Sequence, residues 1–307
     1  MPAFPLYTRL IGTGTRRGVA SMMLGMAVFV ANDSLVKLAS SSMPTGQLIT
    51  LRNAMATLLL LALVFATGQA RQLRRAVNPA VMTRSSLDLI ATLLFIAALF
   101  HMPIGNVTAI NMSSPLMMTA VAAVFLNLPV GWRRWTAVAV GFGGIMLIVQ
   151  PRAEGFNAYA LVALCSTIFV VARDLSTRRI GHDIPSLIVA TTNSVFVTGG
   201  ALVLSAFEGW VAIGWREYTL LACAGAFLII GYLLIVDAFR HGDLATVGPF
   251  RYTGLIWALL AGYLIWGDMP NLLAWAGIVI VVASGLYVLH REHLRGRDEA
   301  AKTVSVE

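Results

Sequence analysis

Charge is what this 307-residue chain has least of: Asp, Glu, Lys and Arg make up 12% of it, against about 25% in soluble domains. With 58% hydrophobic residues and a mean hydropathy of +0.80, that scarcity excludes an ordinary water-soluble fold. Cysteine is nearly absent. Cys165 and Cys223 both fall in apolar runs, which argues against a disulfide scaffold and predicts free, apolar-packed thiols. The chain has no H-E-x-x-H or G-x-S-x-G motif, and its "RHGD" at 240–243 puts Arg240 where the G-x-G-D pattern of intramembrane aspartyl proteases has glycine. Nor is there a G-x-x-x-x-G-K-[ST] phosphate loop, so ATP hydrolysis by that motif is excluded. No catalysis, metal or cofactor is expected.

What the chain does have is long apolar runs. A helix needs about 20 apolar residues to cross ~30 Å of hydrocarbon. Ten runs qualify: 18–39, 45–67, 84–101, 104–126, 132–150, 157–178, 186–207, 218–239, 244–266 and 271–290. The 27 glycines and the interior prolines Pro103, Pro115 and Pro249 suit membrane helices, where both residues are commoner than in soluble ones. Basic residues orient the runs. With both termini inside, the inner segments hold Arg9, Arg16 and Arg17; Arg71, Arg74, Arg75 and Arg84; Arg133 and Arg134; Arg178 and Arg179; Arg240; and Arg291, Arg295, Arg297 and Lys302. The outer loops hold only Arg152 and Arg216. This alternation predicts an all-α integral membrane protein of ten transmembrane helices with both termini cytoplasmic. The net charge of +8 and pI of 10.1 then reflect orientation and attraction to anionic membrane lipid, not nucleic-acid binding. A cleaved signal peptide is not expected, because the first run is too long and contains Asp33 and Lys37. Residues 1–17 are read as a cytoplasmic segment, and 291–307 as a polar, disordered cytoplasmic tail.

One internal shift recurs. Ala31-Asn32-Asp33 matches Ala172-Arg173-Asp174 at 141 residues, as Lys37 matches Arg178 and Met43-Pro44 matches Ile184-Pro185. Trp135 matches Trp275 at 140. The pattern predicts two five-helix repeats, 18–150 and 151–290. Because five is odd, the second repeat enters the membrane from the opposite side, and inverted repeats are how many secondary transporters build one site with alternating access.

Several motifs then resemble the EamA family of the drug/metabolite transporter superfamily: Asp33-x-x-x-Lys37, Pro44 and Arg52, "NMSSPLMMTAVAAVFLN" (111–127), and "GLIWALLAGYLIWGDMPNLLAWAGIVIVVASG" (254–285) with Asp268, Trp275, Gly277 and Gly285. The first repeat departs from the family in having Leu128 where an acidic residue is common. The resemblance covers roughly 18–290. It implies ten helices in two inverted repeats and a multi-pass protein of the bacterial inner membrane that exports amino acids, aromatic ones included, or related metabolites. Its partners would be a small-molecule substrate and membrane lipid, with the chain a monomer or homodimer. A carrier of nucleotide-like or sugar-like solutes and a channel-like facilitator remain as alternatives.

Ionisable residues within membrane spans are costly and mark function by default. Asp33, Lys37 and Arg52 lie toward the outer ends of their helices, and Arg173, Asp174, Asp237 and Arg251 toward the inner ends. One reading makes these layers an outer and an inner gate on either side of an apolar middle. The other makes them static pairs or snorkelling side chains. Between the layers Asn111, Ser113, Ser114, Tyr232, Tyr252 and Trp257 offer polar and aromatic surface for a substrate cavity, and Pro115 frees a backbone carbonyl there. Equally, Tyr and Trp mark interfaces, and Ser bonds its own helix. Gly254, Ala258 and Gly262 form a small-residue ridge suited to packing within the bundle.

Overall fold

The computed structural model describes residues 13–125, 131–150, 157–177, 179–181, 183–241 and 244–304, which contain helices and connecting turns but no strand. Leu128 and Arg178 lie outside the described residues. The helices are α1 (Thr13–Ala39), α2 (Thr45–Ala66), α3 (Pro79–His101), α4 (Ile104–Asn111), α5 (Ser114–Phe125), α6 (Trp132–Val149), α7 (Tyr159–Thr177), α8 (Ser186–Glu208), α9 (Trp215–His241), α10 (Leu244–Val247), α11 (Thr253–Trp266) and α12 (Leu272–Val304). Seven of these (α1 to α3, α7 to α9 and α12) are long and apolar enough to cross a membrane. The tail expected to be disordered instead continues α12 as helix to Val304.

Proline sets where the helices break. The run 104–126 divides into α4 and α5 at Met112-Ser113, because Pro115 lacks an N–H and fits only in a first turn. The run 244–266 starts as α10 and a 3₁₀ helix (Gly248–Tyr252) containing Pro249 before α11 begins. Pro44 and Pro185, in extended conformation, precede α2 and α8.

The packing comes in mates. α1 packs on α9 as α7 packs on α3, α3 on α8 as α9 on α2, and α1 on α11 as α7 on α4. Two further pairs, α2 with α8 and α6 with α12, join helices about 140 residues apart. Small polar side chains let α2 and α8 approach: Thr57 Oγ1 lies 2.7 Å from Ser194 Oγ and 3.3 Å from Thr198 Oγ1, which is 141 residues further on. Glycine does the same for α6 and α12, where a Cβ at Gly144 would stand 2.8 Å from Ile280 Cγ2 and 2.9 Å from the Gly277 carbonyl oxygen. Gln150 and Asn271 hydrogen-bond reciprocally at one end of that pair, at 2.9 and 3.2 Å.

The Gly254–Ala258–Gly262 ridge is buried inside the bundle, against Met26, Met112 and Ile104. Cys165 and Cys223 are free as expected, but they are exposed on the outer surface and not packed inside. Hydrocarbon solvates a thiol about as well as a core does, so the apolar runs do not tell inward from outward cysteines.

Candidate functional site

Seven helices converge on a cavity of about 290 Å³, near the lower end of the range for small-molecule sites, about 300 Å³. Met26, Phe29, Phe95 and Met112 give it apolar walls. Its polar lining comes from α1 (Asn32, Asp33), α2 (Arg52), α3 (Asp88), α4 (Asn111), α7 (Arg173) and the 3₁₀ helix before α11 (Arg251). Thus Asp33 and Arg52, expected in an outer layer, share one cavity with Arg173 and Arg251, expected in an inner one. Residue position along a helix gave the layers; the way the helices converge brings the side chains to a common centre.

Two local arrangements around this cavity correspond residue by residue. Asn32 Nδ2 donates to Asp33 Oδ1 at 2.9 Å, and 141 residues later Arg173 Nε donates to Asp174 Oδ1, also at 2.9 Å. The residue 141 after Arg52 is Asn193. Each arrangement therefore holds one Asp, one Arg and one Asn, but Arg and Asn have changed places between them.

A fourth residue makes the two unequal. Asp88 on α3 accepts from Arg173 Nη1 at 2.5 Å and from Asn193 Nδ2 at 2.5 Å, whereas the residue 141 after it is Ile229. Arg173 is thereby held by two carboxylates, since Nη2 also meets Asp174 Oδ1 at 2.8 Å. The other arrangement is left open. Arg52 is 3% exposed, yet its guanidinium donates no hydrogen bond among the described residues, and its Nε is buried without a partner. Asn32 Oδ1, in a residue 2% exposed, also lacks a partner. Asp33 and Asp88 are the carboxylates facing Arg52, and neither pairs with it within 4.0 Å. A guanidinium carries five N–H donors, and leaving them unmatched away from water is expensive.

The sequence model of the EamA-like transporter family matches residues 16–150 and, a second time, residues 157–289. The chain belongs to the EamA-like transporter family. It is similar to the pseudopaline exporter CntI of Pseudomonas aeruginosa (strain UCBPP-PA14), at 27% identity over 88% of this chain and 94% of the relative. It is similar also to the riboflavin transporter of Vibrio cholerae (28%, over 92% and 96%) and to the S-adenosylmethionine uptake transporter of Rickettsia bellii (25%, over 90% and 94%). A crystal structure of a protein 17% identical shares the fold, with a TM-score of 0.61 over 88% of this chain and 97% of that one. This EamA-like chain is a multi-pass membrane protein and a transporter of small metabolites.

Of the residues expected to line the EamA-like chain's cavity, Asn111 does. The others are turned to local tasks. Ser113 donates to the Ile110 carbonyl at 2.5 Å, and Ser114 and Pro115 open α5. Tyr232 donates to the Ser186 carbonyl at 2.9 Å, fastening α9 to the start of α8. Trp257 packs beside the buried cluster of Met22 and Met26, with its Nε1 unpartnered. Tyr252 is buried, and its hydroxyl sits against Gly285 without a partner. Tyr252→Phe is accordingly expected to hold or raise the thermal midpoint, since an unmatched buried hydroxyl costs about 1–3 kcal/mol. A clear fall in the midpoint in a melting assay would show that the hydroxyl is bonded.

The remaining charged candidates form ties between helices. Lys37 Nζ donates to the Met102 carbonyl at 2.5 Å and lies 4.9 Å above the Trp266 ring, joining α1 to the ends of α3 and α11. Asp237 does not join Arg173 and Arg251. It accepts from Arg17 at 2.7 Å and from Ser21 at 2.7 Å, linking α9 to the start of α1. Asp88 and Asn193 are the site residues that the repeat pattern passed over, because a carboxylate facing Ile229 in register carries no duplicated signal.

Proposed function

We propose that this protein is a secondary carrier of the bacterial inner membrane that moves amino acids, aromatic ones included, by alternating access. In this reading ten helices cross the membrane, with both termini cytoplasmic, as two inverted repeats over 18–150 and 151–290. The paired packing of α1/α9 with α7/α3, the double family match and the one-sided distribution of Lys and Arg support that arrangement.

The observation that carries the reading is the central cavity, which both repeats build and in which Asp33 and Arg52 have no ion pair. Apolar walls with a few convergent polar groups suit a small metabolite carrying charges at one end. Lys37 at the outer end and Arg17–Asp237 at the inner end are the ties proposed to alternate, with Arg173 and Asp174 bracing the inner side. The relatives named for riboflavin and S-adenosylmethionine favour a second reading with larger cargo.

Counterflow separates the readings. Proteoliposomes preloaded with unlabelled phenylalanine should accumulate labelled phenylalanine transiently, in a saturable way and without an ion gradient. Exchange of riboflavin or S-adenosylmethionine, with no amino acid in the panel exchanged, would replace the amino-acid reading by the second one. Non-saturable flux would identify a channel.

A further inference from the structure

Resting on the amino-acid reading above, we propose that the open Asn32–Asp33–Arg52 arrangement is the receptor for the head of the substrate, with Arg52 taking its carboxylate and Asp33, held by Asn32, taking its ammonium. The unmatched groups are complementary to that head. Arg52 offers a fork of N–H donors, a geometry that suits a carboxylate and is poorly replaced by a point charge. Asp33 has one oxygen occupied by Asn32 Nδ2, and the other accepts no hydrogen bond among the described residues. Asn32 Oδ1, beside it, is buried and has no partner of its own among the described residues. An open carboxylate oxygen and an open donor fork on one cavity match a substrate head that carries an ammonium and a carboxylate. Arg251, on the same lining and with a side chain that donates no hydrogen bond among the described residues, adds positive potential to the cavity.

The corresponding arrangement on α7 and α8 is closed by the protein itself. There Asp88 fills the place a substrate would take, binding both Arg173 and Asn193. The apolar walls, Phe29 and Phe95 among them, are left to hold the substrate's side chain. Asp33 and Arg52 thus bind cargo, and gating is left to the ties at the helix ends.

The test removes one charge of the substrate at a time. In the phenylalanine counterflow assay, phenethylamine lacks the carboxylate and 3-phenylpropionate lacks the ammonium. Against wild-type protein each should compete about 30-fold more weakly than phenylalanine, or worse, as expected when a buried charge loses its partner. Arg52→Gln should bring phenylalanine down to the level of phenethylamine, and Asp33→Asn should bring it down to the level of 3-phenylpropionate. Wild-type melting midpoints would confirm that both variants fold. If either truncated analogue competes with wild-type protein as well as phenylalanine does, the head-group receptor is wrong while the carrier stands. If folded wild-type protein exchanges no amino acid, the amino-acid reading falls and this inference with it.

Discussion

Asp88→Ala should destabilise the detergent-solubilised protein by about 3–5 kcal/mol, the range for breaking a buried ion pair from one side. Asp88 is 7% exposed and is the point at which α3 is bonded to both α7 and α8. Its removal leaves Arg173 with one carboxylate in place of two, and it takes away the acceptor of Asn193 Nδ2. Asn193 Oδ1 is already buried without a partner, so the whole amide would become unmatched. Asp88→Asn keeps the shape and loses the charge, and is expected to fall between wild type and alanine. Thermal unfolding followed by tryptophan fluorescence reads both. A wild-type midpoint for Asp88→Ala would mean that the cluster contributes no stability.

Gly277→Leu is the second large effect, and it acts through backbone. A Cβ at this position would stand 2.8 Å from Ile148 Cγ1 and 3.1 Å from the Ile148 nitrogen, with the Gly144 carbonyl oxygen closer still. No rotamer relieves a clash with main chain, so α12 must move off α6, at a cost of about 1–3 kcal/mol or more for an overpacked contact. Gly277→Ala should lose less. Gly143→Ala, next to Gly144 in sequence but on the exposed side of α6 and with nothing within 4 Å of the added methyl, should be neutral or slightly stabilising because alanine favours helix over glycine. Equal midpoints for Gly277→Leu and Gly143→Ala would show that the two helices do not touch at these glycines.

The seven long apolar helices were readable because hydrocarbon thickness sets their length, and proline marks where other runs break. Pro115 predicted the interruption of the fourth run, and α5 does start around it. The side chains facing the centre were much less readable. A helix apolar on every side has no polar face to set its rotation, so Tyr232, Tyr252 and Trp257 looked as suitable for a cavity as Phe29 and Phe95, and only the latter two line it. Charge worked better as a guide, since Asp33, Arg52, Arg173 and Arg251 all reach the cavity. Their division into two layers did not carry over, because sequence gives distance along a helix and says nothing of how helices lean toward one another. The tail shows the opposite error: its polar composition suggested disorder, while its residues continue an already nucleated helix, α12, at little further cost in entropy.

Thr57 touches Thr198, the residue that occupies its own place in the other half of the chain. In the carrier proposed above, such a contact lies on the axis that relates the halves, and exchanging their roles maps it onto itself. Every off-axis interaction must be traded for its mate when the cavity turns from one face to the other, but this one can persist through the whole cycle. In that carrier the threonine pair would be the fulcrum, the point where the moving parts have no lever arm.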